Sequence, residues 1–241
     1  MSPYEAYGEA ARQLATPAIM SGRHTFQASS ETPMVADVVE KLRLDKSCRL
    51  LEVGCGIGTV LRPIATHVAK AVGVDHPSCL FRFEQLGKPA NVSLVPGEWP
   101  NVEITDSFDR ILVYAVLQYL SGEPAARAFI AACIVKLRPG GGLLLGDIPN
   151  EDARHRFVTS SFGRGFQAQW AKQTAAKTEE QILAGQIFAR VGPRPPFLND
   201  AFVLGLLADA RREGLESYVV PQPADLPFCY SREDVLIWKR L

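Results

Sequence analysis

Hydrophobic positions in this chain fall in short runs separated by one-faced, helix-spaced stretches, and that alternation decides the fold class. Cys48 to Val53, Ala69 to Val74, Asn91 to Val95, the apolar run within Asp106 to Tyr119, and Leu143 to Leu145 read as buried strands. Between them the spacing changes to that of helices. From Thr32, Pro33 suits a first turn, and Val35, Val38, Val39 and Leu42 keep one apolar face. His76-Pro77-Ser78 opens a second helix that Gly87 terminates, and Pro124 starts a third carrying Phe129, Ala132, Cys133 and Leu137. Strand, helix and strand in repetition predict an α/β chain built on a parallel sheet.

The ends of the chain break this rhythm. Tyr4 to Leu14 reads as a short helix, Thr16 to Ser30 is rich in small and turn residues, and Tyr4, Tyr7, His24 and Phe26 read as surface packing. Thr178 with Gln181 forms a capping box for a helix to Arg190, which Pro193 to Pro196 ends. Val203, Leu206, Leu207 and Ala210 mark a further helix ending before Gly214. Tyr218 to Val220 and Asp234 to Arg240 then read as two strands with no helix between them, which predicts an antiparallel pair.

The stretch Leu50 to Ile64, L-L-E-V-G-C-G-I-G-T-V-L-R-P-I, organises the rest. A buried strand meets three alternate glycines and then a helical pattern, so the chain turns sharply where backbone amides can approach a ligand. A dinucleotide fingerprint requires G-x-G-x-x-G. Gly54 and Gly56 satisfy its first two places, but Thr59 occupies the third. Asp75 stands at the C-terminal end of the second strand, where open α/β sheets place their ligands, and a carboxylate there can accept both hydroxyls of a diol.

The E-x-G-x-G-x-G pattern, with Asp75, the S-F-D entry to the fourth strand and the R-P-G-G turn before the fifth, resembles the class I S-adenosylmethionine-dependent methyltransferases of small-molecule type. The resemblance covers Val35 to Ile148 and, more weakly, the last strand pair. It implies a Rossmann-like fold: a seven-stranded, mostly parallel sheet with an antiparallel C-terminal strand pair and helices on both faces. It further implies one domain over residues 1–241, with 1–30 as an N-terminal lid and 151–198 as an acceptor-side insertion. The implied cofactor is S-adenosyl-L-methionine, leaving as S-adenosyl-L-homocysteine. Its contacts are then expected from Glu52 and the loop Gly54, Cys55, Gly56 and Gly58, from Asp75 and His76 on the ribose side, and from Glu98 and Trp99 at the adenine. Tyr114 would border the methionine moiety, along with Ala115 and Gln118.

Composition narrows the partners. Lys plus Arg number 26 and Asp plus Glu number 26, so no net charge favours nucleic acid or an anionic membrane. A small acceptor is expected. The five cysteines lack C-x-x-C pairs and metal-ligand spacing, which predicts no disulfide framework and no metal, and fits a cytoplasmic location. No apolar run approaches the roughly 20 residues of a membrane helix, and the N-terminus lacks a signal-peptide core.

Methyl transfer depends chiefly on alignment and exclusion of water, but an oxygen nucleophile gains from a base. His155 is the first candidate, with Asp147 as its orienter or alternative. Arg154, His155, Arg156, Arg164, Lys172 and Lys177 make the start of the insertion basic, which would suit an anionic sugar or nucleotide-linked acceptor, while Gly163 and Gly165 predict mobility. Two other functions share these residues: a non-catalytic S-adenosylmethionine-binding protein, and an NAD(P)-dependent oxidoreductase, against which Thr59 argues.

Overall fold

A computed structural model describes residues 1–192 and 196–241. The apolar runs form seven strands: β1 (Arg49–Val53), β2 (Lys70–Asp75), β3 (Val92–Pro96), β4 (Phe108–Tyr114), β5 (Leu137–Pro149), β6 (Glu216–Val220) and β7 (Arg232–Trp238). They make one sheet in the order β3-β2-β1-β4-β5-β7-β6. Strand β7 runs antiparallel to β5 and to β6, while the other neighbours pair in parallel. The chain therefore winds outward from β1 to β3, then restarts at β4 on the other side of β1. A crevice opens at that switch point, beyond the carboxyl ends of β1 and β4.

Side chains alternate across the strands, so adjacent residues feed different cores. Leu51, Ile111 and Leu143 join Phe129 of α6 (Glu123–Val135) and Phe202 of α10 (Asp200–Arg212). Leu50, Leu112 and Leu144 join Val38 of α3 (Glu31–Lys41), Leu61 of α4 (Leu61–Ile64) and Phe83 of α5 (Pro77–Gln85). A third apolar cluster unites α1 (Pro3–Gln13), α2 (Pro17–Met20) and α9 (Glu179–Ala189) with Ile57 of the glycine loop. The N-terminal residues thus lie over the loop rather than beside it.

Three expectations need correction. The fifth strand is far longer than Leu143 to Leu145, beginning at Leu137 and taking the R-P-G-G residues into the sheet. A Cβ on Gly142 would lie 2.5 Å from the Trp238 ring, so glycine there is a packing requirement. The helix after the glycine loop is a single α turn, continued by a 3₁₀ turn at Ala65–His67. Finally, the basic stretch folds as α7 (Glu151–Thr159) and α8 (Ser161–Gln173). Gly163 sits inside α8, where a Cβ would meet the Phe157 carbonyl oxygen at 1.9 Å, so it permits a close turn between the two helices. The proline break from Pro193 to Pro196 lies, except for Pro196, outside the described residues.

Candidate cofactor and acceptor site

The three loop glycines differ in what surrounds them. All take positive φ, at 77° for Gly54, 55° for Gly56 and 81° for Gly58. A Cβ on Gly54 would strike Val116 and one on Gly58 the Phe83 ring, each at 2.5 Å, whereas one on Gly56 would meet nothing within 4 Å. The outer glycines hold the loop against its supports. Gly56 instead lines an open cleft beyond the ends of β1 and β2.

Glu52, Asp75 and Glu98, from the ends of β1 and β2 and the turn after β3, all line this cleft. Asp75 accepts from the Gly56 amide at 2.7 Å and from the His76 amide at 2.6 Å, which ties the second strand end to the loop. Burial nevertheless raises its pKa above the ordinary carboxylate range. Glu52 is buried, its Oε2 has no hydrogen-bond partner, and burial followed by the charge of Asp75 raises its pKa well above normal. Burial, then Asp75 and Glu98, pushes the Tyr4 phenol up to about 12, as expected where acids converge.

Trp99 also lines the cleft, its indole N–H donating to the Phe129 carbonyl at 3.3 Å, and Cys55 and Tyr114 complete the expected lining. His76 does not reach it. Its Nδ1 accepts from the Ser78 amide at 3.1 Å, capping α5, and its ring lies where a Cβ on Gly8 would come within 2.3 Å. His76 is therefore a joint between α1 and α5.

Part of the cleft wall comes from the N-terminal segment. Tyr4, Tyr7, Met20, Ser21 and Arg23 all line the cleft, so the surface-packing reading fails for both tyrosines. The Tyr7 hydroxyl donates to that of Tyr119 at 2.5 Å, and Ser21 and Thr59 hydroxyls lie 3.2 Å apart. Thr59, at the third place of the dinucleotide pattern, thus meets the N-terminal segment. Arg23, which the sequence did not mark, has a buried Nη1 without a hydrogen-bond partner.

A second chamber shares Tyr7, Ser21, Arg23, Tyr114, Ala115 and Tyr119 with the cleft and extends to Gln118, Asp147, Gln222, Phe228 and Arg232. Two non-glycine residues at its strand ends occupy the left-handed region, Ala115 at φ 58° and Asp147 at φ 57°. Such conformations cost about 1–3 kcal/mol and concentrate at functional sites. Burial raises the pKa of Asp147, with Arg232, 3.7 Å away, opposing the shift. His155 is exposed on α7 and lines neither space. The arginines beside it, Arg154 paired with Glu151 and Arg156 with Asp200, also line neither space; the positive charges lining the chamber are Arg23, 4.0 Å from Glu31, and Arg232. Among the described residues no cluster of three His, Cys, Asp or Glu side chains could hold a metal, and no helix is long and apolar enough to cross a membrane.

The strand order, the glycine bend and its ring of acids define a class I S-adenosylmethionine-dependent methyltransferase fold. Residues 50–141 match the family model described as a methyltransferase domain. The chain is 29% identical over 107 residues to an uncharacterized methyltransferase of Schizosaccharomyces pombe, covering 43% of this chain and 40% of that protein. It is 29% identical over 143 residues to the protein-L-isoaspartate O-methyltransferase of Rhodopseudomonas palustris, covering 55% and 58%. In both cases the match spans less than two thirds of the relative. The N-methyltransferase NodS of Bradyrhizobium japonicum, solved with S-adenosyl-L-homocysteine, shares the fold with a TM-score of 0.56, 18% identity and 98% coverage of each chain.

The residues present fit that cofactor. The orphaned Glu52 oxygen can meet an ammonium, Asp75 retains lone pairs for a diol, and the space above Gly56 is open. The oxidoreductase reading has no support in these matches.

Proposed function

We propose that the chain transfers a methyl group from S-adenosyl-L-methionine to a hydroxyl of a small acceptor lodged in the second chamber. The observation that carries this reading is the shared wall: the six residues common to cleft and chamber put the two spaces in contact, with Asp147 as the chamber's acid. The cofactor supplies a sulfonium-bound, electrophilic methyl. In this reading Glu52 faces the methionine ammonium and Arg23 its carboxylate, Asp75 takes the ribose hydroxyls, and Glu98 with the Trp99 amide takes the adenine. Residues 1–30 serve as the lid, which keeps water from the reacting atoms.

The acceptor oxygen bonds to the methyl carbon as the carbon–sulfur bond breaks, and Asp147 receives the hydroxyl proton. A carboxylate whose pKa is raised by burial is better matched to this task than an ordinary one. The acceptor class is a sugar, a nucleotide-linked sugar or a secondary metabolite. An acidic group on it would meet Arg232, which lines the chamber, whereas Arg154 and Arg156 of the insertion line neither space. Incubation with methyl-deuterated cofactor and such acceptors, followed by mass spectrometry, tests the reading. A labelled methyl on an acceptor oxygen is expected; cofactor binding without transfer to any acceptor would favour a non-catalytic binding protein.

A further inference from the structure

The helical hairpin formed by α7 and α8 is thinly anchored. Helix α7 has no buried residue, and α8 buries only Gly163. A pair of helices normally hides an apolar stripe to offset the entropy of ordering. Here the apolar content is aromatic, and it stays partly open. Phe162 is 61% exposed and Phe26, facing the hairpin from the N-terminal segment, is 42% exposed.

These rings form one belt that starts inside the chamber. Phe228 lines the chamber and lies 5.1 Å from Trp170. Trp170 stacks with Phe166 at 6.0 Å and meets Phe26 edge-on at 5.3 Å. Within the belt, ring planes recur nearly parallel: 18° for Phe166 and Trp170, and 14° for His24 and Phe26. Flat faces with offset spacing favour a flat ligand, because π-faces attract one another in stacked or edge-on arrangements. Phe228 is the one ring of the belt that lines the chamber, beside Gln118, Asp147 and Arg232, and it joins the chamber to the rest of the belt through Trp170.

We propose that the methyl acceptor carries a planar ring, which docks on Trp170, Phe166, Phe26 and Phe228 while its accepting hydroxyl lies in the chamber. The inference rests on the methyl-transfer reading and narrows its acceptor. An aromatic metabolite and a nucleobase would both supply such a ring. Both stack on aromatic side chains.

Saturation-transfer NMR titrations on the protein loaded with S-adenosyl-L-homocysteine test this, with 2-naphthol and uridine as flat probes and cyclohexanol as the non-planar control. At least one flat probe should bind, more tightly than cyclohexanol. Trp170→Ala and Phe166→Ala should each weaken it about threefold to tenfold, as loss of one aromatic contact implies, and Trp170→Phe should restore most of the loss. Affinity for S-adenosyl-L-homocysteine should stay unchanged in these variants. Naphthol binding alone identifies an aromatic acceptor, and uridine binding alone a nucleotide-linked one. The proposal is overturned if neither binds, if cyclohexanol binds as well, or if the alanine variants bind like wild type. Failure of S-adenosyl-L-homocysteine itself to bind would instead remove the methyl-transfer reading.

Discussion

The backbone amide of Asp147 donates to the Oδ1 of Asp234 at 2.8 Å, across the antiparallel junction of β5 and β7. Asp234 is fully buried and its Oδ2 is held by Lys41 at 2.7 Å, so the acceptor is fixed from behind. This bond helps keep Asp147 in the left-handed region and its carboxylate at the chamber. The acid at Asp147 is legible in sequence. The partner that shapes it, 87 residues further on, is not.

Asp147→Asn is expected to lower kcat by about 10²–10⁴-fold, the range of general-base contributions, with affinity for S-adenosyl-L-homocysteine retained. Because burial raises the Asp147 pKa and the deprotonated form is active, wild-type kcat should fall as pH drops through that raised value. The Asn variant should lose this limb. His155→Ala should leave turnover within about twofold, since an exposed side chain outside both spaces has no route to the reacting atoms. Steady-state pH profiles of the three proteins check all of this.

Glu52 trades stability for binding. Its folded-state pKa is raised, so the native protein holds a proton that the unfolded chain gives up, and stability falls as pH rises through the interval between the two values. Glu52→Gln should therefore stabilise the ligand-free protein near neutrality by about 1–3 kcal/mol. It should also weaken cofactor binding, and wild-type binding should release a proton as the ammonium arrives. Thermal melts, together with calorimetry in buffers of different ionisation heat, measure both effects. A variant that is less stable yet binds normally would contradict this role.

Two glycine replacements should separate support from contact. Gly58→Ala sets a methyl against Phe83 at positive φ and should cost about 1–3 kcal/mol of stability, as overpacking does. Gly56→Ala meets no protein atom, so its stability cost is the left-handed penalty of about 1–2 kcal/mol. Its larger effect should be on cofactor affinity, because the methyl points into the cleft. Equal affinity losses in both variants would count against the assignment of Gly56 to the ligand face.

The parts that could be read in advance are those whose physics is local. Alternating apolar runs marked the strands, and the glycine spacing with Glu52 and Asp75 marked the cleft, because a tight bend and a ligand-side acid both sit next to the strand that positions them. His76 was misplaced for an equally physical reason: adjacent to Asp75 in sequence, it turns into the cap of α5 and under α1. Arg23, Tyr7 and Arg232 carry no local signature. Only the folding of the N-terminal segment and of β7 onto the switch point brings them to the site. The aromatic residues of α7 and α8 are interleaved with charges, so no apolar face stands out along the sequence.

Calorimetric titration of the folded protein with S-adenosyl-L-homocysteine, repeated on Asp75→Asn, bears most directly on whether the cleft holds this cofactor. One-to-one binding is predicted for wild type, weakened roughly tenfold to a hundredfold in the variant by loss of hydrogen bonds to a charged acceptor. An absence of heat with folded wild-type protein, or equal affinity in the two proteins, would contradict it.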